Sequence, residues 1–154
     1  MISNTKPVLW AILFAFTMCI VTSSYSKPKE YGDIVAKLAN VHDGDTFSVV
    51  IAGWPDIIGK DIGVRVLGID TPELHDKDLQ VKAAAIKARA YAQRILEDAK
   101  EIKLLNLKRD KYFRILADVS VDGKDFGKMM LDSGFAKVYN GGAKDMFTPD
   151  DVKD

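Results

Sequence analysis

Val64-Arg65-Val66-Leu67-Gly68-Ile69-Asp70-Thr71-Pro72-Glu73 reads as a short strand stopped by a proline. The β-branched run Val64–Ile69 suits a strand, and Pro72 forces Thr71 into an extended conformation that ends it. Working outward, Asp43-Gly44 is a tight-turn signal between the alternating Ile34–Val41 and the β-branched Thr46–Ile51. Gly53–Gly63 holds three glycines, a proline and two aspartates, so a long hairpin loop is expected there. Past Asp78 the period changes. Val81, Ala85, Ala88, Ala92, Ile95 and Ala99 recur at steps of four and three as far as Lys100, predicting an amphipathic helix with an alanine-rich face. Ile102–Leu107 and Phe113–Val121 read as the last two strands, separated by a charged turn, Lys108–Lys111. Asp122-Gly123 turns the chain into a short helix, Phe126–Leu131, with Gly134 as its left-handed end, and Phe135–Tyr139 resumes extended structure. The Gly141–Asp154 tail shows no pattern. Five short strands with one long helix after the third predict a mostly β, α+β fold: a small, partly open OB-type barrel.

The 154 residues allow one domain. Met1–Ser26 differs in kind: a short n-region with Lys6, an apolar run from Pro7 to Val21, then small polar residues. That is the layout of a secretory signal peptide, which predicts a secreted or periplasmic protein. The rival reading is an uncleaved membrane anchor, although the fully apolar part is shorter than the roughly 20 residues a span needs. Lipidation at Cys19 is a weaker option. Residues 27–33 then read as a linker, 34–140 as the domain and 141–154 as the tail. Without the leader the chain has 21 basic and 22 acidic side chains, a net charge of −1. Such a domain is no bulk polyanion binder, so nucleic-acid contact must come from a local patch. The lone cysteine lies in the leader, which excludes a disulfide framework, and His42 and His75 are too few for a zinc site.

The charged residues cluster in three places. Asp43 and Asp45 flank Gly44, and alone they would be ordinary turn residues. Phe47 and Val49 stand where an EF-hand loop needs oxygen, so that reading is excluded. Arg65 sits within an apolar strand, on the face predicted to carry Leu67 and Ile69, and there it needs an anionic partner. Asp70, the Thr71 carbonyl and Glu73 resemble half of a hard-metal site. The third cluster, Lys108–Arg114, interleaves four basic residues with Tyr112 and Phe113, a composition suited to phosphate contact and base stacking. Lys108 and Arg109 read as a solvated turn. Arg114 opens the last strand and is aimed at the barrel mouth.

Asp43-Gly44-Asp45-Thr46, Arg65…Asp70-Thr71-Pro72-Glu73, Asp110-Lys111-Tyr112…Arg114 and Gly134-Phe135-Ala136-Lys137-Val138, in that order, resemble the staphylococcal (micrococcal) nuclease family over about residues 33–140. The resemblance implies a Ca²⁺-dependent nuclease on an OB-fold barrel that cleaves the P–O5′ bond of DNA and RNA, leaving 3′-phosphate and 5′-hydroxyl ends. It implies Asp45, Asp70 and the Thr71 carbonyl as Ca²⁺ ligands, with Asp43 just outside them. Arg65 and Arg114 would hold the scissile phosphate, and Glu73 would position or deprotonate water. Lys111 and Tyr112 would contact the nucleotide beyond it. Phe113 replaces the staphylococcal glycine, the Gly53–Gly63 loop is longer, and the family's long C-terminal helix is not expected after Tyr139. The chemistry agrees, since two guanidinium forks and a divalent cation match the charge that builds on a five-coordinate phosphorus. The competing reading is a non-catalytic OB-fold nucleic-acid-binding module. A monomer is expected, with DNA and RNA as partners and a membrane only if the leader is retained.

Overall fold

The computed structural model describes residues 31–152, so the leader, its cleavage site and Cys19 lie outside the described residues. Strands β1 (Ile34–Val41), β2 (Thr46–Val50) and β3 (Ile62–Val66) form an antiparallel meander. After helix α2 (Leu79–Glu97), β5 (Ile102–Arg109) returns beside β1 and hairpins into β6 (Ile115–Val121). The predicted barrel is therefore present, but it is closed. Parallel pairing of Val64, Arg65 and Val66 with Ile115, Leu116 and Ala117 joins β3 to β6 and removes the open edge.

Side-chain alternation explains the interior. Ile115, Ala117, Val119 and Val121 of β6 point inward, and the residues between them are half-buried. In β1, Ala36 and Val41 both face the core although five residues apart. A bulge between Leu38 and Asn40 supplies the change of phase. Phe47 and Phe126, both fully buried in the core, meet edge to face with ring centroids 6.2 Å apart. Asp78 caps α2 by accepting from the N–H groups of Gln80 and Val81. The buried face of α2 is Val81, Ala85, Ala88, Ala92 and Leu96. Leu96 joins this face by a four-residue step from Ala92, while the predicted Ile95 and Ala99 pack against the core half-buried and the helix itself stops at Glu97.

Other boundaries differ from expectation for local reasons. The loop after β2 contains a single helical turn, α1 (Asp56–Gly59), and β3 begins two residues early. Gly68 (φ +79°) turns the chain after Val66, so Ile69 enters the core instead of sharing the Arg65 face. Ile69–Asp70 becomes a separate strand, β4, paired with β8 (Lys137–Val138). The turn after β5 lies over Asp110–Arg114, because Phe113 adopts φ +68° and cannot begin a strand. A two-residue strand, β7 (Lys124–Asp125), leads into α3 (Phe126–Asp132), which ends as predicted at Gly134 (φ +75°). The tail is not patternless, since Pro149–Val152 forms a 3₁₀ turn capped through Thr148 and Asp151. Among the described residues no helix is long and apolar enough to cross a membrane.

Candidate active site

Two loops meet at one rim of the barrel. In the turn after β1, the N–H groups of His42 and Asp43 both donate to the Thr46 carbonyl, each at 2.9 Å. A Cβ at Gly44 would stand 2.9 Å from Thr71 Cγ2 and 3.2 Å from Ala88 Cβ. The glycine is therefore required for close approach. That approach lets Thr71 N–H donate to Asp45 Oδ2 at 2.8 Å, while Thr46 Oγ1 donates to Asp45 Oδ1 at 2.9 Å. Arg65, on β3, forks between the two loops. Its Nη1 pairs with Asp45 Oδ2 and its Nη2 with Asp70 Oδ1, the latter at 2.7 Å. Asp45, Arg65, Asp70 and Thr71 are all buried.

One guanidinium does not neutralise two buried carboxylates, and more negative charge stands nearby. Burial pushes the Asp43 carboxyl above its usual range, and the charge of Glu73 pushes it the same way. Burial pushes the Arg65 guanidinium down, against the opposing pull of Asp70. Lys144, from the tail, provides the second cation. Its Nζ lies 2.6 Å from Glu73 Oε1 and 3.0 Å from Asp70 Oδ1. Burial lowers its pKa, but the two carboxylates outweigh that and hold the ammonium above its ordinary value.

Arg114 immediately precedes β6 and is partly exposed. Its aliphatic stem covers Gly63, where an added Cβ would lie 3.1 Å from Arg114 Cγ. Gly63 and Arg65 share a face of β3, so both arginines stand on that face, with Cα atoms roughly 8 Å apart by strand geometry. Asp110 fixes Arg114 by accepting from its Nε at 2.7 Å and from its backbone N–H at 3.0 Å. Burial raises the Asp110 carboxyl, but these bonds and one from Tyr112 N–H bring it below its usual range. Exposed Tyr112 carries the Lys111 ammonium 5.0 Å and the Arg114 guanidinium 5.4 Å from its ring centroid. Phe113 is exposed too and stacks under Arg109 at 4.3 Å. An open cleft beside Arg65 is lined by Leu67, Lys108, Leu116, Asp118 and Tyr139.

The structure thus brings Asp43, Asp45, Arg65, Asp70, Thr71, Glu73 and Arg114 to one rim, with Lys111 and Tyr112 on the adjoining turn. Sequence reasoning missed Lys144 and the clamping role of Asp110. The usable signal for Lys144 was Gly141-Gly142, a chain reversal just past the last strand. As to a metal, no three Asp, Glu, His or Cys side chains form a ready cage among the described residues. The donor set is instead hard oxygen from two buried carboxylates in excess of their local cation, which fits a divalent ion completed by water or phosphate.

A closed five-stranded barrel with charged loops gathered at its rim defines the OB class. Within that class, residues 63–151 match the staphylococcal nuclease homologue family, and the chain belongs to it. It is similar to a probable endonuclease of Schizosaccharomyces pombe, at 27% identity over 79% of this chain and 62% of the relative. It is 34% identical to endonuclease YncB of Bacillus subtilis, over 66% of this chain and 49% of YncB. It is 29% identical to the probable endonuclease lcl3 of Botryotinia fuckeliana, over 66% of this chain and 47% of that protein. The chain thus spans about half to three-fifths of the length of these curated relatives.

Proposed function

We propose that this protein is an exported, Ca²⁺-dependent nuclease that hydrolyses phosphodiester bonds of DNA and RNA. The observation that carries the reading is the buried Asp45–Arg65–Asp70 cluster, with Arg114 on the same strand face and Glu73 beside it. A bound calcium ion, held by Asp45, Asp70 and the Thr71 carbonyl, would supply positive charge to the phosphate. Arg65 and Arg114 donate hydrogen bonds to the non-bridging oxygens, and those bonds strengthen as charge builds toward five-coordinate phosphorus. Both guanidiniums are held in place beforehand, by Asp45 and Asp70 in one case and by Asp110 in the other. Glu73 is exposed at the rim, where it accepts a hydrogen bond from the attacking water and aims it. Lys111 and Tyr112 meet the neighbouring nucleotide, with the Tyr112 ring as a stacking surface. The cleft lined by Leu67, Leu116 and Tyr139 offers an apolar wall to a base. Export, to the medium or the periplasm, rests on the Met1–Ser26 leader.

Digestion of single-stranded DNA and RNA by the full chain over a calcium titration tests this reading. Cleavage of both polymers that rises with calcium and stops on adding chelator is expected. Retarded but intact nucleic acid at every calcium level would support a binding module instead.

A further inference from the structure

Lys144 reaches the site by a purpose-built route. After β8 the backbone passes through Gly141 (φ +89°) and Gly142 (φ +96°), conformations that a side chain would strain. Tyr139 braces this reversal at both ends: its N–H donates to the Gly68 carbonyl and its hydroxyl to the Gly142 carbonyl, each at 2.9 Å. Further on, Asp151 pairs with Lys137 at 2.8 Å, and the Lys137 ammonium sits 4.6 Å from the Phe147 ring centroid. Between these anchors the tail lies across the rim and delivers the ammonium to Glu73 and Asp70. The oxygen it meets on Asp70, Oδ1, already accepts from Arg65 Nη2.

We infer that Lys144 is a cation, tethered through Glu73, that competes with the divalent ion for Asp70 and so sets the calcium concentration at which the site fills. This rests on the nuclease reading above. Calcium requires carboxylate oxygens at about 2.4 Å. An ammonium paired with Asp70 repels the ion and shields that oxygen. The Lys144 side chain is 42% exposed, so it can swing into water and remain charged while the ion binds. The contact is therefore a reversible competitor, because partly exposed pairs are weak enough to exchange.

Calcium binding to the full chain, measured by titration calorimetry without nucleic acid, tests the inference apart from catalysis. Lys144→Met should bind calcium about fivefold more tightly than the wild type, the scale expected when one half-exposed charge contact is removed. Lys144→Arg, which keeps the charge, should stay within about twofold. Asp151→Asn, which removes the ion pair at the tail's far anchor, should also tighten binding. Unchanged or weaker binding by Lys144→Met, or equal tightening by Lys144→Arg, would overturn the competition while leaving calcium-dependent cleavage intact. Absence of calcium binding in wild type and variant alike would overturn it together with the calcium reading.

Discussion

Arg65→Ala is expected to lower the cleavage rate by about two to three orders of magnitude, the cost of losing one preorganised donor to the transition-state charge. The same substitution is expected to destabilise the fold by about 3–5 kcal/mol, because Asp45 and Asp70 would remain buried without their shared guanidinium. Both effects come from one geometry: Arg65 ties the two loops together and is the proposed phosphate donor. Single-turnover cleavage of a labelled oligonucleotide at saturating calcium reads the first, and urea unfolding reads the second. A variant that unfolds near the wild-type midpoint, or cleaves within threefold of it, would contradict the account. Arg65→Lys should not rescue, since an ammonium cannot bridge two carboxylates as a planar fork does.

Arg114→Ala separates the two effects. The Arg114 side chain is a third exposed, and Asp110 would keep its hydrogen bonds from the backbone N–H groups of residues 112 and 114, so unfolding should shift by only about 1 kcal/mol. The rate should still fall by about two orders of magnitude, with kcat and kcat/KM reduced together, as for an interaction made mainly in the transition state. A rise in KM alone would reduce Arg114 to a substrate-binding residue.

The five barrel strands, the inserted helix and the order of the charged motifs were legible because each rests on local chemistry. Alternation, the Asp-Gly turns and Pro72 all act within a few residues. Closure of the barrel was not legible, since the parallel pairing of β3 with β6 joins segments some fifty residues apart. The face shared by Arg65 and Ile69 was misread because Gly68 turns the strand between them, and a glycine reports no facing of its own. Leu96, one residue past Ile95, is the more deeply buried of the two at the end of the helix face, although both pack on the core. The candidate residues meet at one rim because their spacing follows turns and strand ends. For Lys144, Gly141-Gly142 signals a chain reversal, but one lysine among many does not reveal that the tail folds back over Glu73.

The nature of the product ends tests the proposed chemistry most directly. A single-stranded oligonucleotide digested by the full chain with calcium, and analysed by mass spectrometry, should yield fragments with 3′-phosphate and 5′-hydroxyl termini. Fragments carrying 5′-phosphate and 3′-hydroxyl would contradict the account, because water would then have displaced the other oxygen of the phosphodiester.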